Sequence, residues 1–322
     1  MTEKQQNEIA IETKGLVKKF EDEILAVDGI DLSIQANTIY ALLGPNGAGK
    51  TTTVSILTTL IEPTSGTANV LGFDVVHQAN DVRNNIGVTF QEMVIDGDLT
   101  GRQVLDYHGR LYRLGADKRK KIIKELLALA ELEEAADRRV KTYSGGMKRR
   151  LELVRGLMTN PRVLFLDEPT TGLDPQNRTS IWRYMRMRNL KENNQLTILL
   201  TTHDMEEAEE LADIVGIIDQ GRLVVEGAPR ELINKMGVDT IHITGNGNDE
   251  SFTNQLKSTP FVQGVMNTDE LIQIGVDSGN RRLAEVVSMA AQSNFTIEDI
   301  SVAKPSLGDV FLKYTGRQLR DK

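Results

Sequence analysis

Three short runs constrain the fold of this chain more than any other feature. Ile39-Tyr40-Ala41-Leu42-Leu43, Val163-Leu164-Phe165-Leu166 and Leu196-Thr197-Ile198-Leu199-Leu200 lack the alternation of a strand with one wet face. Strands of this kind are buried on both faces, as in a mainly parallel sheet covered by helices. Short β-like runs alternate with helical patterns up to about residue 236, which is the pattern of an α/β domain. Each of the three runs stops at a polar or glycine-rich cluster, near Gly44, Asp167 and Thr202-His203. Ligands of open α/β sheets bind beyond the carboxyl ends of the strands, so chemistry is expected at these three stops.

The first stop is the most specific. Gly44-Pro45-Asn46-Gly47-Ala48-Gly49-Lys50-Thr51 fills the template G-x-x-x-x-G-K-[ST] between a buried strand and a helical run beginning at Thr51. Glycines let such a loop wrap phosphates with backbone N–H groups, while the following helix turns its positive end to the same anion. Lys50 is placed to reach the β- and γ-phosphates and the Thr51 hydroxyl to ligate Mg²⁺, so residues 44 to 52, Thr52 included, are the candidate nucleotide contacts. Thr51-Thr52-Thr53-Val54 are poor helix formers, and packing and bound phosphate are expected to help hold this helix.

At the second stop, four apolar residues lead into Asp167-Glu168-Pro169. Neighbouring side chains leave a strand in opposite directions, so adjacent carboxylates can serve different tasks. Asp167 is the candidate Mg²⁺ ligand, and Glu168 the candidate general base that orients and deprotonates water. Pro169 cannot extend a central strand, so the chain turns there. A second glycine-rich helix start lies at Ser144-Gly145-Gly146-Met147, ahead of Lys148-Arg149-Arg150-Leu151. It is another anion-binding helix terminus, and one ATPase domain rarely needs two for itself.

Taken in order, the phosphate loop, Gln91, Ser144-Gly145-Gly146, Asp167-Glu168, Asp174 and His203 resemble the ATP-binding cassette family from about Ile9 to Met236. The resemblance implies a P-loop NTPase fold of ABC ATPase type, with a mainly parallel sheet, an N-terminal β region and a helical insertion. It also implies an ATPase using ATP and Mg²⁺. By the same resemblance, Gln91 contacts Mg²⁺ or the attacking water and connects to a membrane partner. Asp174 crosses a dimer interface, His203 stands near the γ-phosphate and Phe20 stacks on adenine. Ser144-Gly145-Gly146 would close the site of a second ATPase subunit. Met147 departs from the commonest signature, which has glutamine there, while drug-exporter branches often carry Tyr-Ser-Gly-Gly-Met. The segment Lys304-Pro305-Ser306-Leu307-Gly308-Asp309-Val310-Phe311 resembles the tail of daunorubicin-resistance-type exporter ATPases.

Composition bears on the partners. A net charge of −8 and a pI near 5.2 disfavour nucleic acid, whose binders usually show a basic face. Lys118-Arg119-Lys120-Lys121 is expected to be the wet face of a helix. With no cysteine and four scattered histidines, a structural metal is not expected, and a reducing compartment fits. No run approaches the roughly 20 apolar residues of a spanning helix, and Met1 to Glu8 lack the regions of a secretory signal. The resemblance then implies a location at the cytoplasmic face of a membrane, beside a separate integral permease and with a second ATPase subunit, identical or not. The rival reading is an ATP-gated clamp on ribosomes or nucleic acid, which the single cassette and the acidic balance disfavour.

Leu105, Leu111, Leu114, Ile122, Leu126, Leu127, Leu129 and Leu132 are spaced for amphipathic helices, which places a helical insertion at about 100–160 in an ATPase domain of residues 9–236. A linker containing Asn234 to Val238 is expected to lead into a small α+β domain, 237–322. Its strands are expected at Thr240–Thr244, Leu271–Val276 and Phe295–Ile297, with a helix over Arg282–Ala291. Leu307, Val310, Phe311 and Tyr314 share one helical face, expected to dock on its own domain.

Overall fold

The structure is a computed structural model that describes residues 8–21, 24–91, 95–190, 196–235, 239–268 and 271–316. It divides into two compact units, one reaching Pro229 and one beginning at Arg230. The expected boundary near residue 236 therefore lies beyond this division. Asn234 ends the helix Pro229–Asn234, and residues 236–238 are outside the described set.

In the first unit, the unalternating runs form the strands β3 (Ile39–Leu43), β7 (Val163–Asp167) and β8 (Thr197–Thr202), buried at every position. With β6 (Ile86–Thr89), β9 (Ile214–Asp219) and β10 (Arg222–Gly227) they make a six-stranded sheet ordered β10-β9-β3-β8-β7-β6. All neighbours are parallel except β9 and β10. A second, antiparallel sheet has the order β2-β1-β4-β5, from β1 (Ile9–Lys19), β2 (Leu25–Gln35), β4 (Ser65–Val70) and β5 (Phe73–Asp74). β2 does alternate, burying Val27, Ile30, Leu32 and Ile34, as a strand with one solvated face does. Helix α1 (Lys50–Leu57) touches β2, β4 and β7, and Val54, Ile56 and Leu57 join Ile30, Leu32 and Phe165 in one core. The phosphate loop thus leads into a helix clamped between two sheets.

The short helix α2 (Ala79–Asn85) precedes β6. The insertion consists of α3 (Gly101–Leu111), α4 (Ala116–Leu129) and α5 (Gly145–Gly156), in mutual contact. α3 starts from a capping box between Thr100 and Gln103, which satisfies two amides of the helix start. Leu105, Leu126, Leu127 and Leu132 are buried as their spacing requires, but Leu111 is 79% exposed, because α3 ends there and turns it outward. On α4, Lys118, Lys120 and Lys121 are wet, whereas Arg119 folds inward onto Asp106. α5 also touches β6 and α6 (Pro175–Leu190), so it joins the insertion to the sheet. α7 (Met205–Leu211) follows β8 and packs against β3.

The second unit begins within α8 (Pro229–Asn234) and runs β11 (Asp239–Gly247), α9 (Asp249–Lys257), β12 (Val262–Thr268), β13 (Leu271–Val276), α10 (Gly279–Gln292), β14 (Phe295–Ala303) and α11 (Leu307–Thr315). The antiparallel order β12-β13-β11-β14 gives the ferredoxin-like β-α-β-β-α-β arrangement. Ile241, Ile243, Ile272 and Ile274 of the sheet meet Phe252, Leu256, Val286 and Ala290 of the helices in a separate core. α9 and β12 were not expected from the sequence. On α11, Leu307, Val310 and Phe311 are buried, but Tyr314 is 45% exposed.

Candidate active site

The ends of β3, β7 and β8 deliver the site. Gly49 caps α1 with φ 103°, and a Cβ there would lie 2.3 Å from the Ala26 carbonyl, so the position admits only glycine. As the N-cap it brings no side-chain acceptor to the first-turn amides, which suits a helix end that receives phosphate. Lys50 opens the helix with its ammonium turned back into the loop, donating to the carbonyls of Gly44 (2.8 Å) and Pro45 (3.0 Å). Thr51 next to it donates to Asp167 Oδ1 at 3.2 Å, and Thr201 Oγ1 donates to the same oxygen.

Beyond β7 the backbone reverses at Glu168, whose φ is +46°, an uncommon conformation for a residue with a side chain. Its N–H is held by the Thr201 carbonyl and hydroxyl, both at 3.1 Å. Its carboxylate is the hub of the cluster. Oε2 accepts from Gln91 Nε2 (3.2 Å) and Thr171 Oγ1 (3.0 Å), while Oε1 lies 3.2 Å from His203 Nδ1 and 3.5 Å from Lys50 Nζ. Burial pushes the Glu168 carboxyl up, but the hydrogen bond and charge of His203, the Lys50 ammonium and Thr171 outweigh it, leaving the group below its ordinary value. For Lys50, burial outweighs the pull of Glu168 and lowers its pKa.

A second cluster surrounds the start of α5. Ser144 caps it, accepting from Met147 N at 3.2 Å, and Ser144 and Gly145 are exposed. A Cβ on Gly146 would lie 2.3 Å from Asn177 Oδ1, so α6 packs on glycine here. Asn177 is bound by its amide and side chain to Asp174, and those bonds lower the Asp174 pKa. Phe20 follows β1, 43% exposed, with Lys18 Nζ 5.3 Å from its ring centroid.

The structure thus gathers Lys50, Thr51, Gln91, Asp167, Glu168 and His203, and sets Ser144, Gly145, Gly146 and Asp174 in another group. Sequence reasoning missed Thr201, Thr171 and, above all, Arg149. This arginine is 3% exposed and lies on the buried stripe of α5 with Gly146, Leu153 and Gly156. In the sequence it is the middle one of three consecutive charges, Lys148-Arg149-Arg150, and only packing singles it out.

Comparison with known proteins identifies the family. Residues 27–171 match the family described as ABC transporter. The chain is 39% identical over 314 residues to the daunorubicin resistance ATP-binding protein DrrA3 of Streptomyces coeruleorubidus, covering 97% of this chain and 98% of the relative. It is 39% identical over 313 residues to the Nod factor export ATP-binding protein I of Burkholderia lata, again covering 97% and 98%. A dimeric bacterial ABC transporter cassette of known structure superposes with a TM-score of 0.61 at 26% identity, over 68% of this chain and 98% of that one. The chain belongs to the ATP-binding proteins of the ABC transporter family, and it is an ABC-type ATPase.

Proposed function

We propose that this chain powers export by a separate membrane permease, as one of two ATPase subunits, and that its cargo is an antibiotic-type or other secreted small molecule. The convergence of Lys50, Gln91 and His203 on the Glu168 carboxylate carries the hydrolytic part of this reading. The cargo class rests on the relatives named for daunorubicin resistance and Nod factor export. No helix among the described residues is long and apolar enough to cross a membrane, and in this reading the separate permease supplies the path. The working location is then the cytoplasmic face of a membrane. We assign the ATPase to residues 9–236 and an accessory α+β domain to 237–322.

In this mechanism Phe20 stacks on adenine, and residues 44–52 cradle the phosphates, with Lys50 exchanging its loop carbonyls for phosphate oxygens. Thr51 and Asp167 offer two neighbouring hard oxygens, which fits Mg²⁺, an ion commonly held by one or two protein groups plus substrate phosphates; Gln91, bonded to Glu168, is the third candidate ligand. When bound, this ion neutralises charge developing on the phosphates. Glu168 takes a proton from water as its oxygen bonds to the γ-phosphorus, and the bond to the β–γ bridging oxygen breaks to leave ADP and phosphate. His203 orients the carboxylate from 3.2 Å. Ser144, Gly145, Gly146 and Asp174 close the site of the partner subunit.

The tagged chain, purified from membranes, tests the whole reading. An unfused multi-helix membrane protein should come with it and alter its ATP turnover. Ribosomes or nucleic acid in place of that protein would point to the clamp instead.

A further inference from the structure

Arg149 has no place in the mechanism above, yet few groups in the molecule are held so completely. A buried guanidinium is costly unless its donors are satisfied, and all three of its nitrogens are. Nε donates to the Pro169 carbonyl (2.5 Å) and Nη1 to that of Phe90 (2.9 Å). Nη2 donates to those of Asp167 (3.1 Å) and Glu168 (2.9 Å). Every one of these acceptors is main chain. The group therefore fixes a backbone path, through three consecutive peptides at the end of β7 and through the peptide joining Phe90 to Gln91.

That path carries the chemistry. Glu168 sits in the left-handed region, a conformation that persists only when its surroundings over-determine it. β8 holds its N–H through Thr201, and Arg149 holds its carbonyl. The second carboxylate ligand, Gln91, leaves the chain directly after the carbonyl bound by Nη1. Arg149 itself stands one helical turn after Gly146, on the helix whose first residues are Ser144, Gly145 and Gly146. One short rigid element thus joins the two clusters of the site.

We propose that Arg149 is a positioning residue for hydrolysis: it sets the Glu168 carboxylate and the Gln91 amide through the peptides that bear them, and ties their placement to the seating of α5. The inference rests on the reading of Glu168 as general base. A phosphate engaged by the start of α5 would then be felt at the carboxylate of the same chain. Lysine cannot reproduce the function, because a point charge does not span four carbonyls as a planar fork does.

A double-mutant cycle on the full chain tests this. Arg149→Gln should lower kcat by about 10²-fold, the scale of a small misplacement of reacting groups, while the ATP Kd, measured by direct binding, stays within about threefold. Arg149→Lys should fall between Gln and wild type. In a Glu168→Gln background, Arg149→Gln should cost nothing further, because the group it positions is already disabled. Losses that multiply in the double mutant, a Kd that rises in step with the fall in kcat, or wild-type kcat in Arg149→Gln would each overturn the proposal. If Arg149→Gln does not fold, Arg149→Lys carries the same cycle, and failure of both to fold shows a purely structural role and overturns it too. Failure of the general-base reading is visible separately, as a Glu168→Gln single mutant that still turns over normally.

Discussion

Lys50 Nζ and Glu168 Oε1 lie 3.5 Å apart with both side chains buried, so the candidate phosphate-binding cation and the candidate general base are each other's neighbours. The pair spans the ends of β3 and β7, and nucleotide entering the loop must compete with Glu168 and with two carbonyls for the ammonium. Lys50→Ala should abolish tight ATP binding or turnover, since it removes the charge that meets the negative charge developing on the phosphates. Calorimetric titration and a phosphate-release assay check this, and near-normal hydrolysis would refute the assignment.

Glu168→Gln should slow hydrolysis by roughly 10²–10⁴-fold while ATP binding persists. Amide for carboxylate keeps the shape and removes the proton acceptor. Because the Glu168 carboxyl is held below the ordinary carboxylate range, its own protonation should not limit wild-type turnover near pH 6. An acid limb near pH 6 that vanishes from the residual rate of Glu168→Gln would contradict that placement.

His108, on α3, is pushed down to about 4 from 6.5, by burial first and then by the charge of Arg155. A histidine harder to protonate when folded favours unfolding as it gains its proton. Its contribution should be complete above pH 6.5 and decline as pH falls toward 4. His108→Gln should therefore lose less Tm than wild type over that interval. Parallel Tm curves for the two proteins would show that His108 does not titrate in this way.

A chain ending at Met236 should fold and bind ATP, because the candidate phosphate-handling residues precede that point and the two units have separate cores. Nucleotide titration of this truncation checks it. A folded truncation without nucleotide binding would show that the second domain completes the site.

The strand ends were legible because burial on both faces suppresses alternation, so β3, β7 and β8 announce themselves and their stops locate Lys50, Asp167, Glu168 and His203. Arg149 was hidden in Lys148-Arg149-Arg150, a run that reads as a wet helical face until the packing of α5 on α6 and β6 turns its second member inward. β12 was passed over because an edge strand that buries little, Val262 to Thr268, keeps glycine, asparagine and an exposed Met266. α9 rests on only two large apolar anchors, Phe252 and Leu256, one turn apart. Tyr314 shares a helical period with Leu307 and Phe311 but not their burial, since period fixes a face and not how far along it a neighbour extends.

The central claim is that each ATP lies between two chains, with Lys50 of one and Ser144-Gly145-Gly146 of the other. A two-fold dimer then contains two equivalent composite sites, and lesions in the two halves complement. Mixing Lys50→Ala with Ser144→Arg subunits gives hybrids in which one site carries both lesions and the other none. By counting, half the dimers are hybrids with one intact site, so freely exchanging subunits should recover up to about a quarter of wild-type ATP hydrolysis. The same mixture in a Glu168→Gln background should trap ATP-dependent hybrid dimers even where the two sites are strictly coupled. Neither recovered hydrolysis nor trapped hybrids, with both variants folded, would mean that Ser144-Gly145-Gly146 serves its own chain and that the shared site does not exist.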